Sequence, residues 1–142
     1  MPKPTSLLAK YYTPAVAKEL QSVKTPHGVT VADVIRSGVE NPDSSVGVYA
    51  GDAQAYQTFA PLLRPVVADY HKHDLDKKHQ RDLNPAHLRV TNLDPSGESI
   101  LSTRVRVGRN IDGYAFPAAI SKKDRSLLER KIVQALGTLK GI

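Results

Sequence analysis

The chain of 142 residues has no cysteine, no tryptophan and one methionine, and aromatic residues make up only 6% of it. Without cysteine there is no disulfide framework and no thiol chemistry within the chain. With so few aromatic faces, a stacking platform for single-stranded nucleic acid lacks its material, and no zinc-finger or RNP-type spacing takes its place. No apolar run approaches the roughly 20 residues that cross a bilayer. The start, MPKPTSLLAKYY, sets one basic residue ahead of an apolar stretch too short for a secretory signal. A cytoplasmic protein is the expectation.

What is present is enough to fold. Hydrophobic residues at 40% support a core and argue against global disorder. The formal net charge of +6 calls for an anionic partner or a basic surface. Nucleic acid and the phosphates of a small molecule answer that charge equally well, and its sign does not choose between them.

Local signals place several helices. Thr13-Pro14 reads as an N-cap with proline at the first helical position, opening a short helix over 14–21 with Val16, Ala17 and Leu20 inward. Thr30 with Asp33 forms a capping-box pattern for a helix over 31–37, which Gly38 is expected to end. Residues 38–52, GVENPDSSVGVYAGD, are too long and polar for a tight turn, and loops of this kind carry function or motion. Apolar residues then recur at helical spacing to Tyr70, with Tyr56, Phe59 and Tyr70 assigned to the core and Pro61 and Pro65 expected to split or bend the helix.

From His71 to Pro95 the chain is dense in charge and holds four of the five histidines. It reads as a solvated connector with one helical turn near Pro85. No geometry fixes His71, His73, His79, Asp74 and Asp76 as ligands, so no metal site is assigned. Asp94-Pro95-Ser96-Gly97 is a turn, and a strand is expected after it. Ser121 with Asp124 caps a last helix carrying Leu128, Ile132, Ala135, Leu136 and Leu139 on one face.

The expected strand, SILSTRVRVGR over 99–109, has an unusual charge pattern. Side chains alternate faces along a strand, so Ser102, Arg104 and Arg106 share one side, their positions roughly 7 Å apart. That spacing suits neighbouring phosphates of a polyphosphate, since each guanidinium donates two parallel hydrogen bonds to one phosphoryl group. An edge strand with solvated arginines that discourage aggregation, or a nucleic-acid groove, explains the pattern as well.

The run STRVRVGRNIDGY, 102–114, resembles the nucleotide-binding strand of the phosphagen kinases, the ATP:guanidino phosphotransferases. TPHGVTVADVIRSGVENPDSSVGVYAGDAQAY, 25–56, is similar to that family's N-terminal helical domain and guanidino-specificity loop. DKKHQRDLNPAHL and NLDPSGESILSTRVR resemble its interdomain connector and the strand that follows, in family order. The likeness covers nearly the whole chain.

That resemblance implies an α+β fold. Residues 1–84 would form the small all-α N-terminal domain and 85–97 a linker. Residues 98–142 would begin the α/β catalytic domain, with its first strand and helix. It implies reversible phosphoryl transfer from MgATP to a guanidino nitrogen, with Ser102, Thr103, Arg104, Val105 and Arg106 on the ATP phosphates and magnesium carried by the nucleotide. The specificity loop maps onto Ser44, Ser45, Val46, Gly47, Val48 and Tyr49, and Asp43 matches an acid that pairs with the other domain on closure. The loop is short, as in the arginine-specific branch, whereas creatine-specific members carry an insertion. L-Arginine is therefore the expected substrate, with taurocyamine, glycocyamine, lombricine and creatine as alternatives.

Ser45 departs from the family pattern, which usually has glycine there. The family's catalytic glutamate, reactive cysteine and further phosphate-binding arginines would lie past Ile142, so no catalytic residue is assigned within this chain. By itself it is expected to be an inactive fragment. Neither nucleic acid nor membrane is an expected partner, and the oligomeric state stays open. A non-catalytic binding module, basic enough to touch nucleic acid, is the reading from a different class.

Overall fold

Hydroxyl caps set the first helix starts in the computed structural model, which describes residues 5–90 and 92–140. Ser6 opens α1 (Leu7–Tyr11), its Oγ accepting from the Ala9 amide at 3.1 Å. Thr13 opens α2 (Pro14–Leu20) by accepting from Val16 N, with Pro14 at the first position as expected. Thr30 and Asp33 form a reciprocal capping box at the head of α3 (Val31–Glu40). These caps satisfy amides that have no intrahelical acceptor.

Two expectations for this region change. Gly38 does not end α3, which runs three residues further, through Glu40, to an Asn41 cap. The break in the next helical stretch falls at Phe59, between α4 (Ala55–Thr58) and α5 (Ala60–His71), and not at the prolines. Pro61 lies in the first turn of α5, where its missing N–H costs nothing, and α5 continues through Pro65. Lys72, at φ 52°, ends that helix in the left-handed region.

Two compact units result: one comprises the residues up to Leu75 together with those from Asn110 onward, the other Asp76–Arg109. The first unit holds the core. Leu8, Leu20, Val34, Phe59, Leu62, Leu63 and Val66 are buried together with Val29, Val31 and Val48. Each such side chain contributes about 1.5–3 kcal/mol by leaving water. Phe59 is core as expected, whereas Tyr56 and Tyr70 are exposed. Helical spacing gives a stripe but does not set its width, and these tyrosines fall at its edge.

Helix α6 (Lys122–Leu136) begins at Ser121 as expected, yet none of its residues is buried. Ile132 and Leu136 are exposed, and Leu139, expected on the same face, lies beyond the end of the helix and is exposed too. In the second unit the turn at Asp94 forms, its carboxylate accepting from the Ser99 and Ile100 amides at 2.8 Å. Those amides hold the Asp94 carboxyl below its ordinary range. A 3-10 turn spans Pro85–His87.

The strand expected over 99–109 is not formed. Among the described residues there is no strand, only an isolated bridge between Lys24 and Thr30. A strand exists through pairing, and this segment has no neighbour to take its amides and carbonyls. Its side chains, including Leu101, Val105 and Val107, are exposed. The fold is helical, without the strand that the α+β expectation required.

Asp69 joins α1 to α5. Its carboxylate accepts from Lys10 Nζ at 2.7 Å and from the Tyr11 hydroxyl at 2.9 Å, and Lys72 pairs with its other oxygen. The Lys10, Lys72 and Tyr11 donors hold the Asp69 carboxyl far below its ordinary value of 3.8. A lowered carboxyl contributes stability above that ordinary value and loses it as pH falls through the folded-state value. Denaturant titrations of the wild type and of Asp69→Asn should therefore differ at neutral pH and converge as pH drops below 3.8. A constant gap across the acid limb would show that Asp69 is not responsible.

Candidate functional site

The segment from Asn41 to Gln54 carries the expected substrate loop, and it is held almost entirely by main chain. Its carbonyls face inward. Ser45 O accepts from Leu7 N at 2.9 Å, and Val46 O accepts from Leu8 N at 3.0 Å. The first amides of α1, which lack intrahelical partners, are thereby satisfied by the loop.

The contact with α3 is closer. The Gly38 amide donates to Gly47 O at 3.0 Å, and Val34 O accepts from Tyr49 N at 2.9 Å. Val34 C=O and Gly38 N–H are the two groups that an undisturbed helix pairs with each other. The loop therefore docks onto one rung of the helix ladder.

That approach requires two glycines. A Cβ on Gly38 would lie 2.5 Å from Gly47 O, 2.6 Å from Leu8 Cδ2 and 2.7 Å from Gly47 Cα. Gly47 stands at φ 80°, and a Cβ there would lie 2.9 Å from Leu8 Cβ. Ser45 stays out of the left-handed region, so its place in the loop does not depend on glycine.

Three loop amides are committed: Ser44 N to Asn41 O, Gly47 N to Ser44 Oγ, and Tyr49 N to Val34 O. Those of Ser45, Val46 and Val48 donate to no protein acceptor among the described residues. Main-chain donors left free in this way suit an anion. Beside them Tyr49 is 59% exposed and lines a concavity of about 360 Å³. Asp33, Arg36, Ser37 and Glu40 of α3 and Pro117 complete its wall. Arg36 pairs with Asp33, whose carboxyl the Thr30 side chain and amide hold below the ordinary range.

The far end of the loop is fixed by Asp52, which is fully buried. Its Oδ1 accepts from Ala55 N at 2.7 Å and its Oδ2 from the Thr25 hydroxyl, which in turn accepts from Val29 N at 3.1 Å. Next to it, Gly51 O accepts from Phe116 N at 2.7 Å. Val29 and Ala119 lie close to Gly51 in the space that a side chain there would fill.

Of the residues expected to act, Ser44, Ser45, Val46, Gly47, Val48 and Tyr49 are thus gathered on one docked loop, with Asp43 exposed at its start. Ser102, Thr103, Arg104, Val105 and Arg106 belong to the second unit, where all five are exposed. Neither Arg104 nor Arg106 has a side-chain hydrogen bond or ion pair among the described residues. Among those residues, too, no group of three or more His, Cys, Asp or Glu side chains is placed to hold a metal ion. No helix of the structure is long and apolar enough to cross a membrane. Sequence reasoning missed Leu8, Gly38 and Asp52. Only Gly38 left a signal, a glycine three residues ahead of the Asn41-Pro42 turn that could equally well end the helix.

Comparison with known proteins follows this geometry. Residues 2–68 match the family model described as ATP:guanido phosphotransferase, N-terminal domain. The arginine kinase of Anthopleura japonica is 48% identical over 141 residues, covering 99% of this chain and 20% of that protein. Arginine kinase Oct f 2 of Amphioctopus fangsiao is 48% identical over 141 residues, covering 96% of this chain and 39% of its own length. The chain thus spans well under half of these relatives. Among solved structures, the substrate-free duplicated taurocyamine kinase from Schistosoma mansoni superposes with a TM-score of 0.83 at 35% identity. That match covers 99% of this chain and 20% of the other.

Removing the Asp52 carboxylate strands the Thr25 hydroxyl and the Ala55 amide in the core. Asp52→Ala should lose about 2–3 kcal/mol in equilibrium denaturation, while Asp43→Ala, at an exposed position, should lose well under 1 kcal/mol. Equal losses would remove Asp52 as the loop's anchor.

Proposed function

Because this chain belongs to the ATP:guanido phosphotransferase family, we propose that the protein carrying it transfers the terminal phosphoryl group of MgATP reversibly to the guanidino group of L-arginine. The observation that carries the choice of an amino-acid guanidine is the set of uncommitted amides at Ser45, Val46 and Val48 next to an exposed Tyr49. Those donors suit a carboxylate, and the Tyr49 hydroxyl suits an α-amino group. That two relatives at 48% identity are arginine kinases supports the same choice.

In this reading residues 1–84 form the guanidine-recognising domain, 85–97 a linker and 98–142 the start of the catalytic domain. Ser44, Ser45, Val46, Gly47, Val48 and Tyr49 hold the amino-acid end of the substrate. Asp43 pairs with the catalytic domain as the enzyme closes, which keeps phosphate from water. Ser102, Thr103, Arg104, Val105 and Arg106 receive the phosphates, with Arg104 and Arg106 neutralising charge on the group in transit. Phosphoryl transfer depends mainly on such alignment and charge compensation. Magnesium arrives with the nucleotide, held by phosphate oxygens and water.

A second reading keeps the reaction and changes the guanidine. A sulfonate is also an anion that loop amides can meet, and the superposed structure is of a taurocyamine kinase.

Turnover of a guanidine panel by the whole protein should give the highest kcat/KM with L-arginine. Equal or better turnover of taurocyamine would replace arginine in this reading. Arg106→Ala should lower kcat by about 10²-fold or more. An unchanged rate would take Arg106 away from the phosphates. Calorimetry with MgADP and a short DNA duplex separates the non-catalytic alternative, for which salt-sensitive duplex binding without nucleotide binding is required.

A further inference from the structure

We propose that Gly38, on α3 and outside the loop, is a specificity-determining positioning residue. By admitting Gly47 O onto its own amide, it sets the orientation in which the loop offers its free amides to a carboxylate. The proposal rests on the reading of the loop as the seat of an amino-acid guanidine.

The directions of its peptide groups decide what the loop can bind. Consecutive peptide units in an extended loop can turn carbonyls or amides to a given side, and an anion needs the amides. Here the carbonyls of Ser45 and Val46 are taken by α1, and that of Gly47 by Gly38. In a trans peptide the amide of the next residue points opposite to each carbonyl, so fixing those of Ser45 and Gly47 inward turns the uncommitted amides of Val46 and Val48 the other way, while the Gly47 amide goes to Ser44 Oγ. Because Tyr49 N is tied to Val34 O one helical step from Gly38, the register of the loop along α3 is set as well.

Gly38 is where this arrangement has no slack. Two of the three nearest atoms to an added Cβ belong to the Gly47 main chain, at 2.5 and 2.7 Å, and main chain cannot rotate aside as a side chain can. The third is Leu8 Cδ2, at 2.6 Å. A methyl group at position 38 must therefore push Gly47 off the helix or bend α3. In either case the Gly38–Gly47 bond lengthens, and the loop amides turn away from the direction they hold now. The added methyl touches no substrate in this reading, so its effect reaches the ligand only through the loop.

A purely structural role predicts a general loss of activity. A positioning role predicts a loss confined to guanidines that carry the carboxylate. The test is to compare L-arginine with its decarboxylated analogue, agmatine, in the whole protein as wild type, Gly38→Ala and Leu8→Ala. Leu8→Ala loosens the same seat by removing atoms, and so keeps the test open should Gly38→Ala not fold. A core variant on α5, outside both the loop and α3, Val66→Ala, reports the effect of lost stability.

The expected result is that the wild type prefers arginine, and that both seat variants lose about tenfold of that preference through KM for arginine. Their turnover of agmatine should stay within about twofold of wild type, and Val66→Ala should keep the preference. If the seat variants lose arginine and agmatine activity in equal proportion, or keep the wild-type preference, Gly38 does not position the loop. A wild type that turns over neither guanidine, or does not distinguish them, overturns the underlying reading of the loop as well.

Discussion

A short length of loop main chain shares hydrogen bonds with one turn of α3, and the rest of the candidate site depends on that contact. Peptide groups removed from water must find partners, and a loop has no ladder of its own. Here α3 lends a donor at Gly38 and an acceptor at Val34, and α1 lends the amides of Leu7 and Leu8. These four bonds place Gly47 and Val48 in the buried interior while Tyr49 and Ser45 remain at the surface. The loop is thus fixed by elements on two sides, and Asp52 and Gly51 fix its exit on a third.

Much of the helical framework was legible. Thr13, Thr30 with Asp33, and Ser121 with Asp124 announce helix starts through local chemistry, and each cap forms. The turn at Asp94 was legible for the same reason, since its donors lie within six residues. Gly38 was misread because a glycine that ends a helix and a glycine that admits a neighbour look alike in sequence. Which role applies depends on Gly47 and Leu8, and neither is near it in the chain. The strand over 99–109 was misread because alternation describes how side chains would sit if a partner existed. Pairing is a property of the assembled chain and not of the segment.

The candidate site was legible to a different depth. Resemblance supplied the loop and its residues, but the reason the loop holds its shape lies outside it. Asp52 carried no local mark of burial, because an aspartate after glycine reads as turn chemistry wherever its carboxylate ends up. Tyr56 and Tyr70 show the converse, where helical spacing promised burial and an exposed position resulted. Likewise α6 starts where its cap predicted but ends at Leu136, short of Leu139, and none of its residues is buried.

Holding the loop through peptide groups leaves most of its side chains without a supporting duty. Ser45, exposed and with ordinary backbone angles, illustrates this freedom. Lineages can then swap the chemistry displayed at such positions, or lengthen the segment between its anchors, while the scaffold stays as it is. The two glycines have no such latitude: a side chain on Gly38 meets the Gly47 backbone, and one on Gly47 meets Leu8 and a backbone angle that favours glycine. Variation in this part of the molecule should accordingly be steeply uneven, permissive at the surface of the loop and nearly closed at its root.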